Sequence, residues 1–446
     1  MKTLFSRSLL ALSVALAAGQ ACADASADAA ADNAAQVQQQ LDRLSKQVKD
    51  LQAQLDAVAA AQQPISPKLA AFEKVSLWGY GEIYYLHPTR HSDQTVADLA
   101  RAVFGIGYQF DDNTRFNSEF EVEHGVTSSS DPGEFEVEQF YVDHRVNQSL
   151  AVQGGLFLIP AGYTNESHEP TNFYGVQRNF VETLIIPSTW REGGIALHGD
   201  TENGIRWNVG ITTGPDLSKW ELNPESPSYQ TALQLINDGP APLAATHQEL
   251  ALANAKHLSQ YVAVNYSGVP GFNVGGSLFT GIAGRVGNSP ADQRVTLWEG
   301  HTRWTPGNLE LQAVYAHGSI SKTEDVNLLN PGVSNPVPAS FYGYYAQAAY
   351  KVWESGKSHL SPFVRAEHYN MGDTVKGLAP GFGTVPTGPA LLEDGSLGFW
   401  PKQADTVYTA GANYYVTPNV VVKADYQNFR TNKDFNRFDL GLGLAF

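Results

Sequence analysis

A chain of 446 residues with a net charge of −16 is poorly suited to nucleic acid, whose phosphates call for clustered Lys and Arg. Its single cysteine excludes an intramolecular disulfide and a multi-thiolate metal site. Twenty tyrosines, 21 phenylalanines, 8 tryptophans and 41 glycines accompany a slightly negative mean hydropathy, and no later run is long and apolar enough for a membrane helix, which leaves half-apolar strands.

The first predicted element is a leader. Lys2 and Arg7 flank the short apolar run Leu9 to Ala18, and Ala21-Cys22-Ala23 follows as a small-residue cleavage site. This order predicts a secretory signal peptide over residues 1–23, whose removal takes the cysteine with it. A lipid-modified Cys22 is the competing reading, but Gly19-Gln20-Ala21 lacks the usual aliphatic residue three positions before the cysteine.

Residues 24–36 are rich in Ala and Asp and are expected to form a disordered, low-complexity linker. Beyond it Val37, Leu41, Leu44, Val48, Leu51, Leu55 and Val58 are spaced alternately four and three apart, with polar residues between. That seam predicts a coiled coil over 37–63, with Asn33 placed to cap it and Pro64 to stop it. An isolated helix of this length buries its stripe by self-association, so a parallel homotrimer in the periplasm is expected. A single helix lying against the rest of the protein is the alternative.

From Val75 the helical period gives way to segments of about ten residues that alternate apolar with polar or small, the pattern of tilted membrane strands. Phe116, Phe120 and Val122 oppose Arg115, Asn117, Glu119, Glu121 and Glu123. Ile205, Trp207, Val209 and Ile211 oppose Arg206, Asn208, Gly210 and Thr212. Tight polar turns are expected near residues 111–113, 146–148, 200–204, 267–271, 305–308, 354–358 and 417–419. Between them fall mostly longer connections at 87–98, 124–133, 159–192, 214–257, 285–293, 321–339 and 370–403, with a short final one near 431–433. Short and long connections taking turns predict an all-β transmembrane barrel over 75–446, of about sixteen antiparallel strands. The final strand sets Phe438, Leu440, Leu442, Leu444 and terminal Phe446 against Arg437, Asp439, Gly441, Gly443 and Ala445. Such an ending is expected to address the barrel-assembly machinery and to place the chain in outer-membrane lipid of a Gram-negative cell.

The connection 159–192 is the expected inward-folded element. Its Asn165-Glu166-Ser167-His168-Glu169-Pro170 and Thr189-Trp190-Arg191-Glu192, with Trp78-Gly79-Tyr80-Gly81-Glu82, Ser118 to His124 and Val137-Glu138-Gln139, resemble the phosphate-selective O and P porins and their relatives. The resemblance runs from Trp78 to Gly199 and implies a trimeric, water-filled channel for small hydrophilic solutes or ions, with the third outer loop in the pore. Candidate constriction residues are then Glu166, His168, Glu169, Arg178, Arg191 and Glu192 in the loop. On the wall they are Arg115, Glu119, Glu121 and Glu123.

The resemblance does not carry phosphate selectivity, which needs a ladder of free cations along the path. The whole −16 balance lies beyond Val75, and with Glu119, Glu121 and Glu123 on one face it predicts a modest cation preference. The scattered basic candidates for the wall are Arg101, Arg115, Arg206, Arg365 and Lys423. Against this stand an anion- or phosphate-selective channel and a structural or adhesive barrel without transport. The acidic row, with Glu138, is read either as a cation cage or as a network tying the loop to the wall. His124, His144 and His168 show no ligand-like spacing, so no metal and no cofactor are expected. Tyr80, Tyr84, Trp78, Tyr342, Tyr344 and Tyr345 fit a sugar-stacking track less well than interfacial girdles. No G-x-S-x-G elbow or HExxH helix is present, so the chain does not read as an enzyme.

Overall fold

The computed structural model describes residues 27–61, 72–127, 133–224, 241–378 and 403–446. The expected signal peptide over 1–23 and Pro64 lie outside the described residues. Two compact units divide the chain, residues 1–73 and 74–446.

The first unit holds one helix, α1 (Ala27–Ala61). It begins well before Asn33, so the stretch expected as a disordered linker is helical from Ala27 and Asn33 is internal rather than a cap. Alanine is the best helix former, and the Ala-rich run carries the helix backward from the heptads. Along it Leu41, Leu44, Val48 and Leu51 are 43–60% exposed, an apolar stripe without cover in the single chain. The side chains of Val37, Leu55 and Val58 lie outside the described residues.

The second unit is a closed antiparallel barrel. Its first strands are β1 (Val75–Pro88), β2 (Val96–Gln109), β3 (Thr114–Glu123), β4 (Phe135–Asn147), β5 (Leu150–Leu158) and β6 (Arg191–Asp200). Then come β7 (Ile205–Thr212), β8 (Ser259–Val269), β9 (Phe272–Ile282), β10 (Arg294–Trp304), β11 (Leu309–Ile320) and β12 (Ser340–Tyr350). The three-residue β13 (Trp353–Ser355) only prolongs β12 into the next turn, and β14 (Ser358–Thr374), β15 (Ala404–Thr417), β16 (Val420–Phe429) and β17 (Arg437–Ala445) complete the ring. Among the described residues sixteen long strands therefore make the wall, each paired with its sequence neighbours.

Closure joins β1 to β17, with Tyr80 opposite Ala445 and Gly81 opposite Leu444. Gly79 N–H donates to the Phe446 carbonyl at 3.0 Å, and Phe446 N–H returns to Gly79 O at 2.8 Å. Among the described residues no strand edge is left unpaired, which is what a lipid environment demands of backbone polar groups. The seven tight turns, the seven longer connections and the short final one fall between strands in the order that the alternation of the sequence places them.

The wall is inverted relative to a water-soluble β-protein. Phe438, Leu440, Leu442 and Leu444 are exposed on the outer face of β17, while Arg437 and Asp439 are buried on its inner face. On β16 Val422 and Tyr426 face out, and Lys423, Asp425 and Gln427 face in. The buried polar residues pair among themselves: Arg365 with Glu367 at 2.9 Å, and Arg437 with Asp439 at 2.9 Å. The aromatic candidates split between the two faces. Tyr315, Tyr342, Tyr344 and Trp298 form a stacked outer cluster, as an interfacial girdle does, whereas Tyr80 and Tyr345 are buried inward.

Candidate functional site

The long connection between β5 and β6, residues 159–190, is buried over most of its length. It leaves β5 at Ile159-Pro160 and turns at Gly162, whose φ of +73° excludes an L side chain; a Cβ there would also sit 2.4 Å from Glu182 Oε1. It returns through one wide helical turn, Val181–Ile185.

Its partners lie across the ring rather than beside it. Gly175 N–H and Val176 N–H donate to Asn413 Oδ1 and Asp425 Oδ2 at 3.2 and 2.6 Å. Phe180 N–H donates to Glu367 Oε2 at 2.6 Å, and Tyr415 O–H donates to the Thr171 carbonyl at 3.2 Å. Arg365 holds the Tyr174 carbonyl at 3.2 Å and Arg101 holds that of His168 at 2.6 Å. Arg437 reaches Gln177 Oε1. Lys423 Nζ sits 3.5 Å above the Phe173 ring. These anchors belong to β2 and to β14 through β17. A segment that starts at β5 and bonds to those strands crosses the interior. It comes close because β17 turns Gly443 toward it; a Cβ there would meet Pro170 at 2.6 Å.

The loop is held from within by Glu182. Its carboxylate accepts N–H groups from Tyr163 and from Thr164 at 2.7 Å, the amide of Asn179 at 2.7 Å and the hydroxyl of Tyr345 at 2.8 Å. Phe180, Val181, Leu184, Ile185 and Trp190 form an apolar cluster with Tyr345, Tyr369 and Phe429 of the wall. Sequence reasoning missed Glu182, because nothing in its neighbourhood marks one acid among many as a hub.

With the loop drawn to β14–β17, the opposite sector stays open. A cavity of about 450 Å³ lies there, with Glu166, Tyr163 and Asn172 on the loop side. Arg206, Arg303 and Arg365 supply the charge on the wall side, with the His301 ring among them. Most of these wall residues sit near the tight-turn ends of their strands. Arg303 pairs with Glu310 at 2.7 Å and Arg206 with Asp200 at 2.9 Å.

Of the ten constriction candidates Glu166 alone lines this cavity, where it is exposed, and of the scattered basic wall candidates Arg206 and Arg365 line it as well. Glu169 accepts a bond from Asn172 at 2.6 Å within the loop. Arg178 donates to Ser188 and, at 3.0 Å, to Thr189 rather than to an acid. Burial, then the nearby Arg101, push its guanidinium down to about 10. Arg191 is buried between Glu136 at 2.5 Å and Glu249 at 2.8 Å. Glu192, wholly buried, accepts from Trp190 and Thr213 and does not reach the cavity. Arg115 pairs with Asp143 at 2.9 Å at the exposed end of β3.

The acidic row is likewise away from the opening. Glu119 and Glu121 are 7% and 3% exposed, and Glu123 is half-buried. Glu119 accepts bonds from Trp78 at 2.7 Å and Gln139 at 2.5 Å. The row on which the sequence bases a cation preference therefore lies beneath the loop and does not line the cavity. Strand alternation puts a residue on the inner face, but it does not say whether a loop covers that face. His168 alone of the three histidines meets the glutamates. His124 bonds to Asp98 at 2.6 Å, and His144 to Thr114 at 2.9 Å.

The chain is similar to known outer-membrane proteins. It is 28% identical over 383 residues to an uncharacterized protein of Aquifex aeolicus (strain VF5), covering 83% of this chain and 80% of that one. Among solved structures, OmpF of Salmonella typhi in complex with daunomycin is similar over 83% of this chain and 97% of its own, at 13% identity and a TM-score of 0.49. The outer-membrane channel DcaP of Acinetobacter baumannii is similar over the same shares, at 10% identity and a TM-score of 0.49. The family model of phosphate-selective porin O and P matches residues 77–437, which is almost the whole barrel. A match of that length, on a closed ring of strands with lipid-facing apolar and inward-facing polar residues, makes the chain a member of the phosphate-selective porin O and P family, an outer-membrane porin channel.

Proposed function

We propose that solutes pass between loop 159–190 and the strands β7 to β11, and that the charges along that sector set a weak preference for small anions. The observation that carries this is the cavity with Arg206, Arg303 and Arg365 on one side and Glu166 on the other. The arginines have carboxylate partners in Asp200, Glu310 and Glu367, so they are not a ladder of free cations. A general channel for small hydrophilic solutes, tilted toward anions, follows more readily than a phosphate-specific one.

The test is the reversal potential of the full-length protein in planar bilayers under a potassium chloride gradient. Chloride is expected to lead at low salt, and the preference to shrink toward 1 M, where the screening length falls to about 3 Å. Replacing Arg206→Gln and Arg303→Gln together should move the potential toward that of a neutral pore. Potassium leading in the wild type would return control to the acidic row of β3.

The exposed stripe Leu41, Leu44, Val48 and Leu51 supports a second element of the proposal, a homotrimer whose periplasmic helices associate. Deleting residues 24–64 should leave an inserted barrel and lower the melting temperature of the oligomer, read by semi-native electrophoresis. A wild-type chain that runs as a monomer in mild detergent would dismiss it. In the same reading the strand ending at Phe446 is the segment offered to the assembly machinery.

A further inference from the structure

Along the open sector of the wall, one inward row crosses five strands at a single register. Asn273 of β9 is the cross-strand partner of Arg303 of β10, and Arg303 is that of Gln312 of β11. Gln312 in turn faces Gln347 of β12, and Gln347 faces Arg365 of β14. All five line the cavity of about 450 Å³. Neighbouring strands lie about 4.8 Å apart, so the row is a continuous belt in which amides and guanidiniums recur at that spacing. The loop borders the same cavity with Tyr163, Phe173 and Tyr174.

The charge of the belt is already matched. Arg303 pairs with Glu310 at 2.7 Å and Arg365 with Glu367 at 2.9 Å. Its hydrogen bonding is incomplete. Arg303 Nε and Arg365 Nη2 are buried without a partner, and Arg365 as a whole is only 4% exposed. Leaving a buried donor unsatisfied is costly. Since both guanidiniums have their carboxylates, the group that suits the spare nitrogens is a neutral oxygen acceptor.

The amides supply the complementary half. Gln347 Nε2 donates to Gln312 Oε1 at 3.3 Å, and Gln312 Nε2 to the Tyr345 hydroxyl at 2.9 Å. Asn273 Oδ1 accepts from the Tyr163 hydroxyl at 2.6 Å, and Asn265 Oδ1 meets His301 Nε2 at 2.6 Å. These bonds fix the amide planes, and among the described residues none of them uses Nδ2 of Asn273 or of Asn265. Both donors remain for a solute in the cavity, with the exposed Glu166 carboxylate as an acceptor. An amide sets a donor and an acceptor side by side, which matches neighbouring hydroxyls. Tyr163 and Tyr174 are only half-buried, so each retains surface for an apolar C–H face.

We propose that this belt and the loop aromatics form a binding subsite for neutral saccharides of mono- to disaccharide size. The inference rests on the solute path proposed above, and not on its weak preference for anions. A sugar has hydroxyls that accept from the spare guanidinium nitrogens and donate to Glu166, and an apolar ring face for the tyrosines. The cavity falls within the range of about 300–1,000 Å³ typical of small-molecule sites. A phosphate ion would compete with Glu310 and Glu367 for the same arginines and would leave the rings unused. Each residue of the belt comes from a different strand, so no local motif marks it.

The experiment records ion current through the full-length protein in planar bilayers in 1 M potassium chloride, where charge effects are screened to about 3 Å. Maltose is added, with polyethylene glycol of similar mass as comparison. Maltose is expected to block the current saturably, while the polymer lowers it only in proportion to bulk conductivity. Asn273→Ala, Gln312→Ala and Tyr174→Ala should each raise the half-blocking concentration about fivefold, as the loss of one neutral contact does. Arg115→Gln, outside the cavity, should leave it unchanged. Heat-modifiable migration on gels checks that each variant barrel is folded, and any one folded variant suffices. Maltose acting only as the polymer does, block by sodium gluconate but not by maltose, or equal block of the folded variants would overturn the proposal. Chloride preference without maltose block would dismiss this inference alone. Maltose block in a pore that prefers potassium would support it and dismiss the anion preference.

Discussion

Removing Thr164–Gln177 is expected to raise single-channel conductance severalfold while the barrel still inserts. The deleted stretch contains Pro170, Phe173, Gly175 and Val176, the residues that meet β15, β16 and β17 across the ring. Its removal empties the sector that the loop now fills and joins it to the existing cavity. The ladder that closes the barrel does not involve these residues, because β5 pairs directly with β6 from Leu158–Arg191 onward. Asp425, Asn413 and Lys423 lose their loop partners, but water in a widened lumen hydrates them, so the penalty of an orphaned buried group is largely avoided. Conductance of inserted pores in 1 M salt is the measurement. An unchanged value from a folded variant would mean that solute flow bypasses the loop.

The second large effect is expected from Glu182→Ala. One carboxylate holds two backbone N–H groups, an amide and a tyrosine hydroxyl, and hydrogen bonds to a charged group contribute about 1.5–3 kcal/mol each. Such bonds are not additive, yet the loss of all four should destabilise the docked loop by about 3 kcal/mol or more. The global melting temperature should move little, since the strand ladder is untouched. The change should appear instead as rapid flicker between conductance levels in single-channel records. Gly162→Ala is expected to give a milder version, because its Cβ would push against the same carboxylate from a strained φ. Quiet, wild-type-like records from Glu182→Ala would show that the apolar cluster around Leu184 and Trp190 is enough to hold the loop.

The barrel was legible because its physics is local. A strand between lipid and a polar interior must alternate, and a strand pair must turn. Residues such as Phe438 to Phe446, or Thr114 to Glu123, state both requirements within ten positions. The helix was legible in its period and misread at its start, where the low complexity of Ala27–Ala35 looked like disorder although alanine favours helix.

The sequence by itself therefore determined the strand number, the side of each residue in the wall, and the length of the connection that folds inward. Only the tertiary structure decided which inward residues face water. Glu119 and Glu121 have the same alternation as Arg206 and Arg303, but the first two lie under the loop and the latter two line the open cavity. The difference arises from contacts between positions some 240 residues apart, such as Asn413 with Phe173, and from Glu182 bonding Tyr345. Side-chain alternation is fixed by the backbone of a single strand, whereas coverage depends on where a distant loop finds its hydrogen-bond partners, and no local pattern encodes that.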